Sequence, residues 1–264
     1  MKTTLAAVLL LACTTLACDE HKYDAMLAEA AASAPTALPV PTTAPSAAAS
    51  AGPTFTKRLA SDCKAGKVDF GGDAALEAEV RRKLGKDSGA LTPSDLAQIK
   101  SINLSQAKVH QIDPCIFPMF TSLKDLFLGP GEYDDLTPLQ KLTTIESLRL
   151  SMSHVKDLHA IEGLKRMDRL DLSHTLIGDD DLKSVGSLTN VTELMLDEDN
   201  VSDLTPVANL KKLERLSIKK TLVKTLAPLA GIKTLKFIYV ADSAVSDITA
   251  VQPQIANGMK LITQ

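Results

Sequence analysis

The sequence predicts an α/β solenoid, a stack of short parallel strands whose connections return along the opposite side. Three observations carry this. First, an apolar pattern, L-x-x-L-x-L with a small residue at position nine, recurs along the chain. Its sixth position falls at Leu104, Leu128, Leu150, Leu172, Leu196, Ile218 and Val240, at successive spacings of 24, 22, 22, 24, 22 and 22 residues. A fixed period in this range marks one supersecondary unit stacked on copies of itself, because a lone unit cannot bury its apolar face and a stack can. Second, the L-x-L alternation within each copy has the two-residue period of a strand, and strands of successive copies stack in parallel just under about 5 Å apart. Third, the stretches between them, such as DDLTPLQKL, SDLTPVANL and KTLAPLAGI, are short and broken by proline, so they predict turns or 3₁₀ helices on the convex side.

From the N-terminus, Lys2 is followed by an apolar run, TLAAVLLLA, too short to span a bilayer and placed where an export signal belongs. Two cysteines follow small or apolar residues, in LLAC at Cys13 and TLAC at Cys18, and both resemble the lipobox of bacterial lipoproteins. The resemblance implies an acylated cysteine as first residue of the mature chain. Cys18, followed directly by the polar DEHKYD run, is the favoured site, with Cys13 the alternative. Two or more acyl chains on one residue give stable membrane attachment. The expected organisation is a lipoprotein signal over residues 1–17 and a tether over residues 18–54. That tether is rich in Ala, Pro, Ser and Thr, with too little apolar surface to offset its conformational entropy.

Residues 55–98 are expected to cap the first repeat. Val68 to Phe70 suggest a short strand, and Leu76, Val80 and Leu84 share one face of a helix ending before Gly85. Thr92-Pro93-Ser94-Asp95 resembles a capping box, with Asp in place of Glu and proline in the first turn. Seven repeats then occupy residues 99–251, giving seven strands. The fourth repeat is longer, and its Asp179-Asp180-Asp181 run suits the start of a fuller helical turn. The tail, residues 252–264, abandons the period and is expected to close the far end.

The segments LKDLFLGPGEYDDLTPLQKL, IESLRLSMSHVKDLHAIEGL, VTELMLDEDNVSDLTPVANL and LERLSIKKTLVKTLAPLAGI resemble bacterial leucine-rich repeats of the 22-residue, internalin-like type, and the likeness extends over roughly residues 68–264. It implies a leucine-rich repeat horseshoe with a concave parallel sheet, convex turns and 3₁₀ helices, and a helical N-terminal cap. Such repeats usually place Asn at position nine to hydrogen-bond the turn. Here that column is Ala107, Gly131, Ser153, Thr175, Asp199, Thr221 and Ser243, of which five can still donate or accept a bond. Cys63, before the cap, and Cys115, in the first repeat, are a possible disulfide in an exported chain, the alternative being two separate thiols.

Between the apolar positions, columns three and five face the concave side, where neighbouring strands bring column members together. Arg169, Glu193 and Arg215 alternate in sign, as do Arg149 and Asp171, and Asp197 and Lys219. Such ladders on a solvated face satisfy themselves and contribute under about 1 kcal/mol each. The aromatic residues there stand out in a chain that is only 3% aromatic. Phe127, Met195, Arg215, Phe237 and Tyr239 are the candidate partner-binding residues, since exposed aromatic, Met and Arg side chains anchor interfaces. The alternative for Phe237 and Tyr239 is burial under the C-terminal cap.

The net charge of −3 and the lack of a basic stripe interleaved with aromatics argue against nucleic acid. The histidines have no metal-ligand spacing, and the chain has no nucleophile elbow, P-loop or dinucleotide fingerprint, so neither enzyme activity nor a cofactor is expected. The acidic runs Asp179-Asp180-Asp181 and Asp197-Glu198-Asp199 lack the glycines of a calcium loop, so no metal is expected either. The predicted function is non-catalytic binding of a protein or peptide through the concave sheet by a monomer lipid-anchored in the bacterial cell envelope. The alternative is a structural or glycan-binding envelope spacer.

Overall fold

The computed structural model describes residues 57–264; the expected signal (residues 1–17), both lipidation candidates, Cys18 and Cys13, and the tether of residues 18–54 lie outside the described residues. The strands are β1 (Ser101–Leu104), β2 (Asp125–Leu128), β3 (Ser147–Arg149), β4 (Arg169–Asp171), β5 (Glu193–Met195), β6 (Arg215–Ser217), β7 (Phe237–Tyr239) and β8 (Lys260–Ile262). They form one sheet in sequence order, every neighbouring pair parallel.

The sheet has eight strands where the repeat pattern predicts seven. The last comes from the tail, which forms helix α4 (Gln252–Ala256) and then β8 alongside β7. Leu261 falls in the fourth-position column of the repeat, opposite Ile238, but Thr263 stands where a sixth-position apolar residue belongs, and this hides the strand in the sequence.

Register fixes which side chains meet. Ile102, Leu126, Leu148, Leu170, Leu194, Leu216 and Ile238 are aligned strand to strand and all are buried. Each such side chain contributes roughly 1.5–3 kcal/mol from burial, and the residues between them are left on the concave face. On the other side the chain returns through 3₁₀ helices at Thr137–Leu139, His159–Ile161, Thr205–Asn209, Ala227–Gly231 and Thr249–Val251. In the longer fourth repeat this return is instead helix α3 (Asp179–Val185), in which Asp181 accepts the Gly178 N–H at 2.9 Å.

At the start, helix α1 (Ala74–Leu84) has Asp73 as its N-cap, accepting the Leu76 N–H at 2.9 Å, and ends at Gly85 with φ 63°. Leu76 and Val80 are buried against the first repeat and Leu84 partly so. Helix α2 (Pro93–Ala97) is closed by the expected capping box: Asp95 N–H donates to Thr92 Oγ1 at 3.2 Å, and Thr92 N–H donates to the Asp95 carboxylate at 2.9 Å. The strand expected at Val68–Phe70 does not form. Helix α1 packs against the outer edge of β1, which leaves that edge closed to a further strand.

After each strand from β3 to β7 the chain turns through a residue with positive φ at position eight: Met152, His174, Glu198, Lys220 and Asp242. The first four donate their N–H to a carbonyl of the following repeat at 2.7–3.0 Å, which holds a conformation unusual for non-glycine residues. Position nine keeps its bonding role without asparagine. Ser153, Thr221 and Ser243 donate their hydroxyls to the carbonyls of Leu150, Ile218 and Val240 at 2.7, 2.8 and 2.7 Å. Thr175 bonds Asp199, and Gly131 is held so near Val109 that an added Cβ would lie 1.7 Å from the Val109 carbonyl oxygen.

Residues 57–63 run against the first repeat. Arg58 pairs with Asp113 at 2.8 Å, its N–H donates to Gln111 Oε1 at 2.8 Å, and Cys63 is bonded to Cys115 with an S–S distance of 2.07 Å.

Candidate functional site

Columns three and five present their side chains on the concave face because columns four and six are drawn into the core. Phe237 and Tyr239 are both half-exposed on β7, separated by one buried residue, with ring centroids 6.4 Å apart. The C-terminal segment therefore adds a strand beside them and does not bury them.

Cations occupy the space around these rings. Arg215 on β6 and Lys260 on β8 are the register neighbours of Phe237 on either side, and they lie 5.3 and 5.4 Å from its ring centroid. Lys219 lies 5.9 Å from the ring of Tyr239. Each contact is worth about 0.5–1 kcal/mol at such partly exposed positions and fixes a side chain that is otherwise costly to order. Arg215 also meets Glu193 at 3.4 Å, while its Nε is buried with no hydrogen-bond partner. Lys219 pairs with Asp197 at 3.2 Å, and the Asp197 carboxylate in addition accepts the Ser217 hydroxyl at 2.6 Å and the Lys219 N–H at 2.8 Å.

Beside this cluster, at the β7–β8 end, a cavity of about 420 Å³ is lined by Glu214, Lys236, Phe237, Asn257, Met259 and Lys260, among others. Lys236 pairs with Glu214 at 2.6 Å on its rim.

Of the five candidate residues, Arg215, Phe237 and Tyr239 come together, and Met195 lies next to them, in register with Ser217 on β6. Phe127 does not join them. It sits on β2, five strand steps and so roughly 24 Å from β7, where Arg149 lies 5.8 Å from its ring. The expected ladders form in part: Arg149 pairs with Asp171 at 3.0 Å, whereas Arg169 reaches Asp168 at 3.7 Å and not Glu193. Sequence reasoning missed Lys260, because its strand lies outside the period, and it assigned Lys219 only to its carboxylate partner. Placing Leu261 in the fourth-position column is the signal that finds Lys260.

The acidic runs are occupied with local bonds. Asp179 accepts the Ser202 and Asp203 N–H groups at 2.7 and 2.9 Å, and Asp180 pairs with Lys183 at 2.6 Å. Burial raises the Asp179 pKa, but the Ser202 hydroxyl and these two N–H donors outweigh it and hold the carboxyl below its ordinary value. His159 and His174 meet Asp157 and Glu198 at 2.6 and 3.1 Å on the surface. Among the described residues no group of three or more His, Cys, Asp or Glu side chains converges as a metal site, and no helix is long and apolar enough to cross a membrane.

No family model and no curated protein matches the chain. Solved structures do. The chain is similar to internalin C2 from Listeria monocytogenes, with 25% identity and a TM-score of 0.60, over 73% of this chain and 93% of that one. It is also similar to an internalin, inlF, from the same organism, again with 25% identity and a TM-score of 0.60, over 72% of this chain and 62% of that one. An open sheet of eight parallel strands with these neighbours is a leucine-rich repeat horseshoe of the internalin-like kind.

Proposed function

We propose that this chain is a non-catalytic binding module that captures a protein or peptide with the concave sheet, through Met195, Arg215, Phe237 and Tyr239, and carries it at the membrane on an N-terminal lipid at Cys18 or Cys13. The observation that supports this reading most directly is the half-buried pair Phe237 and Tyr239 near the C-terminal end of a concave face whose side chains are polar apart from these two, Phe127, Met195 and Ile262. Aromatic and Arg side chains on a rigid sheet are suited to anchor a partner, because little conformational freedom remains to be lost on binding. Phe127 and Arg149 at the other end are suited to a second contact. The internalin-like fold agrees with a protein partner.

The test is affinity capture from the native envelope with the full chain as bait, beside variants carrying Tyr239→Ala with Arg215→Ala and Phe127→Ala with Met195→Ala. A protein held by the unaltered chain and lost with either variant supports the concave site. Capture that none of these changes affects moves binding to the convex face or the cap. No captured protein favours the spacer role.

A further inference from the structure

The concave sheet is polarised in charge along its length. Taking each strand with the residue before it and the two after it, β1 to β3 are nearly neutral, with Lys100, Lys124 and Arg149 against Asp125 and Glu146. The segments around β4 and β5 carry Asp168, Asp171, Glu193 and Asp197 against Arg169, an excess of three negative charges. Those around β6 to β8 carry Arg215, Lys219, Lys236 and Lys260 against Glu214, an excess of three positive charges. The sign reverses between adjacent strands, about 5 Å apart. In a chain whose overall charge is only −3, this is an arrangement of charge and not a bias of composition.

The aromatic pair sits inside the positive end, and its rings hold the cations. Phe237 lies between Arg215 and Lys260, and Tyr239 beside Lys219. The surface offered to a partner is thus less a bare apolar anchor than a set of ring-seated cations, already partly ordered before a ligand arrives.

We propose that the β6–β8 end of the concave face receives an acidic segment of a partner protein, whose adjoining basic residues lie over β4 and β5. This rests on the concave binding reading above and specifies its ligand. Arg215 and Lys260 are two strand steps apart, so the acidic side chains they take are about 10 Å apart. The negative half disfavours a uniform polyanion, such as an acidic glycan or an anionic membrane, which would gain at one end of the sheet and be repelled at the other. A protein segment with a block of each sign satisfies both halves.

The test uses the full chain against immobilised peptides with a glutamate block followed by a lysine block. Peptides of the same composition with alternating charges, glutamine-substituted peptides, heparin and phosphatidylglycerol vesicles are run in parallel. The expected result is retention of the block peptide at least tenfold tighter than the alternating one, weakened by salt. Arg215→Gln with Lys260→Gln should reduce it at least tenfold while the circular dichroism stays that of the folded chain. Equal retention of block and alternating peptides, or no retention above the glutamine peptides, overturns the proposal. So does tighter binding of heparin or vesicles, which would make the surface a polyanion site. An envelope protein lost on Phe127→Ala with Met195→Ala but kept on Arg215→Gln with Lys260→Gln overturns the charge assignment while the concave reading stands. Capture indifferent to both pairs overturns both.

Discussion

The Glu79 carboxylate on α1 accepts the main-chain N–H of Asn103 at 3.1 Å, so a side chain from the first helix closes the outer edge of β1. An open strand edge presents unpaired N–H and C=O groups that template unwanted pairing. Glu79 is itself held by Arg82 at 2.8 and 3.0 Å and is buried. Burial raises its pKa, but the bonds from Arg82 and Asn103 and the charges of Arg82 and Lys83 outweigh this and hold it below the ordinary value. Glu79→Ala should cost about 2–3 kcal/mol at pH 7, as expected for a buried charge-assisted acceptor. It should also speed exchange of the Asn103 amide in native-state hydrogen exchange. Because the folded pKa is depressed, this stabilisation is present above the unfolded value and is lost as pH falls through the folded one. The gap between wild type and variant should therefore narrow in acid.

Gly131 is needed for space and not for backbone conformation. A Cβ there would lie 1.7 Å from the Val109 carbonyl oxygen and 2.7 Å from its carbon, both main-chain atoms that cannot step aside. Gly163 has no atom within 4 Å of the same position. Gly131→Ala should destabilise by at least about 1–3 kcal/mol. Gly163→Ala should be neutral or stabilising by up to about 1 kcal/mol. Urea unfolding midpoints of the two variants check this, and equal effects would contradict it.

The architecture is legible because burial imposes it column by column. Leu148, Leu170 and Leu194 repeat in sequence since each must meet the next across the sheet. The capping box at Thr92 and Asp95 is equally legible, as its bonds span three residues. What escapes depends on long-range geometry. Glu79 meets Asn103 from 24 residues away, and nothing in the period marks it. Lys260 is hidden because Thr263 breaks the apolar pattern of β8. Of the candidate site, the two columns containing Phe237 and Tyr239 can be read directly. That the rings hold cations follows only from the three-dimensional placement of Arg215, Lys219 and Lys260.

The Cys63–Cys115 bond closes a loop with a sequence separation of 52 and fixes residues 57–63 on the first repeat. By the chain-entropy model a loop of this size is worth about 4 kcal/mol. Reduction should lower the thermal midpoint and expose the segment around Leu59 to protease. The hydrophobic core of the repeats contains no residue of this segment, so the repeats themselves should keep their circular dichroism. Collapse of the whole solenoid on reduction would instead show that the segment is part of its folding core.

Asp199 occupies the position-nine column where a leucine-rich repeat usually carries Asn, and it is buried. One carboxylate oxygen accepts the Thr175 N–H at 2.8 Å and its hydroxyl at 3.0 Å, while the other, Oδ2, has no hydrogen-bond partner. Burial pushes the carboxyl up to about 7, the Thr175 bonds oppose this, and the charges of Asp171 and Asp197 add to it. For a carboxyl whose folded pKa is raised, the folded state binds the proton more tightly. Stability is thus unaffected by the group below the unfolded value near 3.8, falls as pH rises from there to about 7, and stays reduced above that. Asn in its place keeps an acceptor for Thr175 and carries no charge. Asp199→Asn should therefore change stability little at pH 4 and raise it by on the order of 3 kcal/mol at pH 8.5. Urea midpoints of both proteins across that range check it. A difference that does not grow with pH would mean that Asp199 is charged in the folded protein at no cost, and that Oδ2 finds a partner in solution.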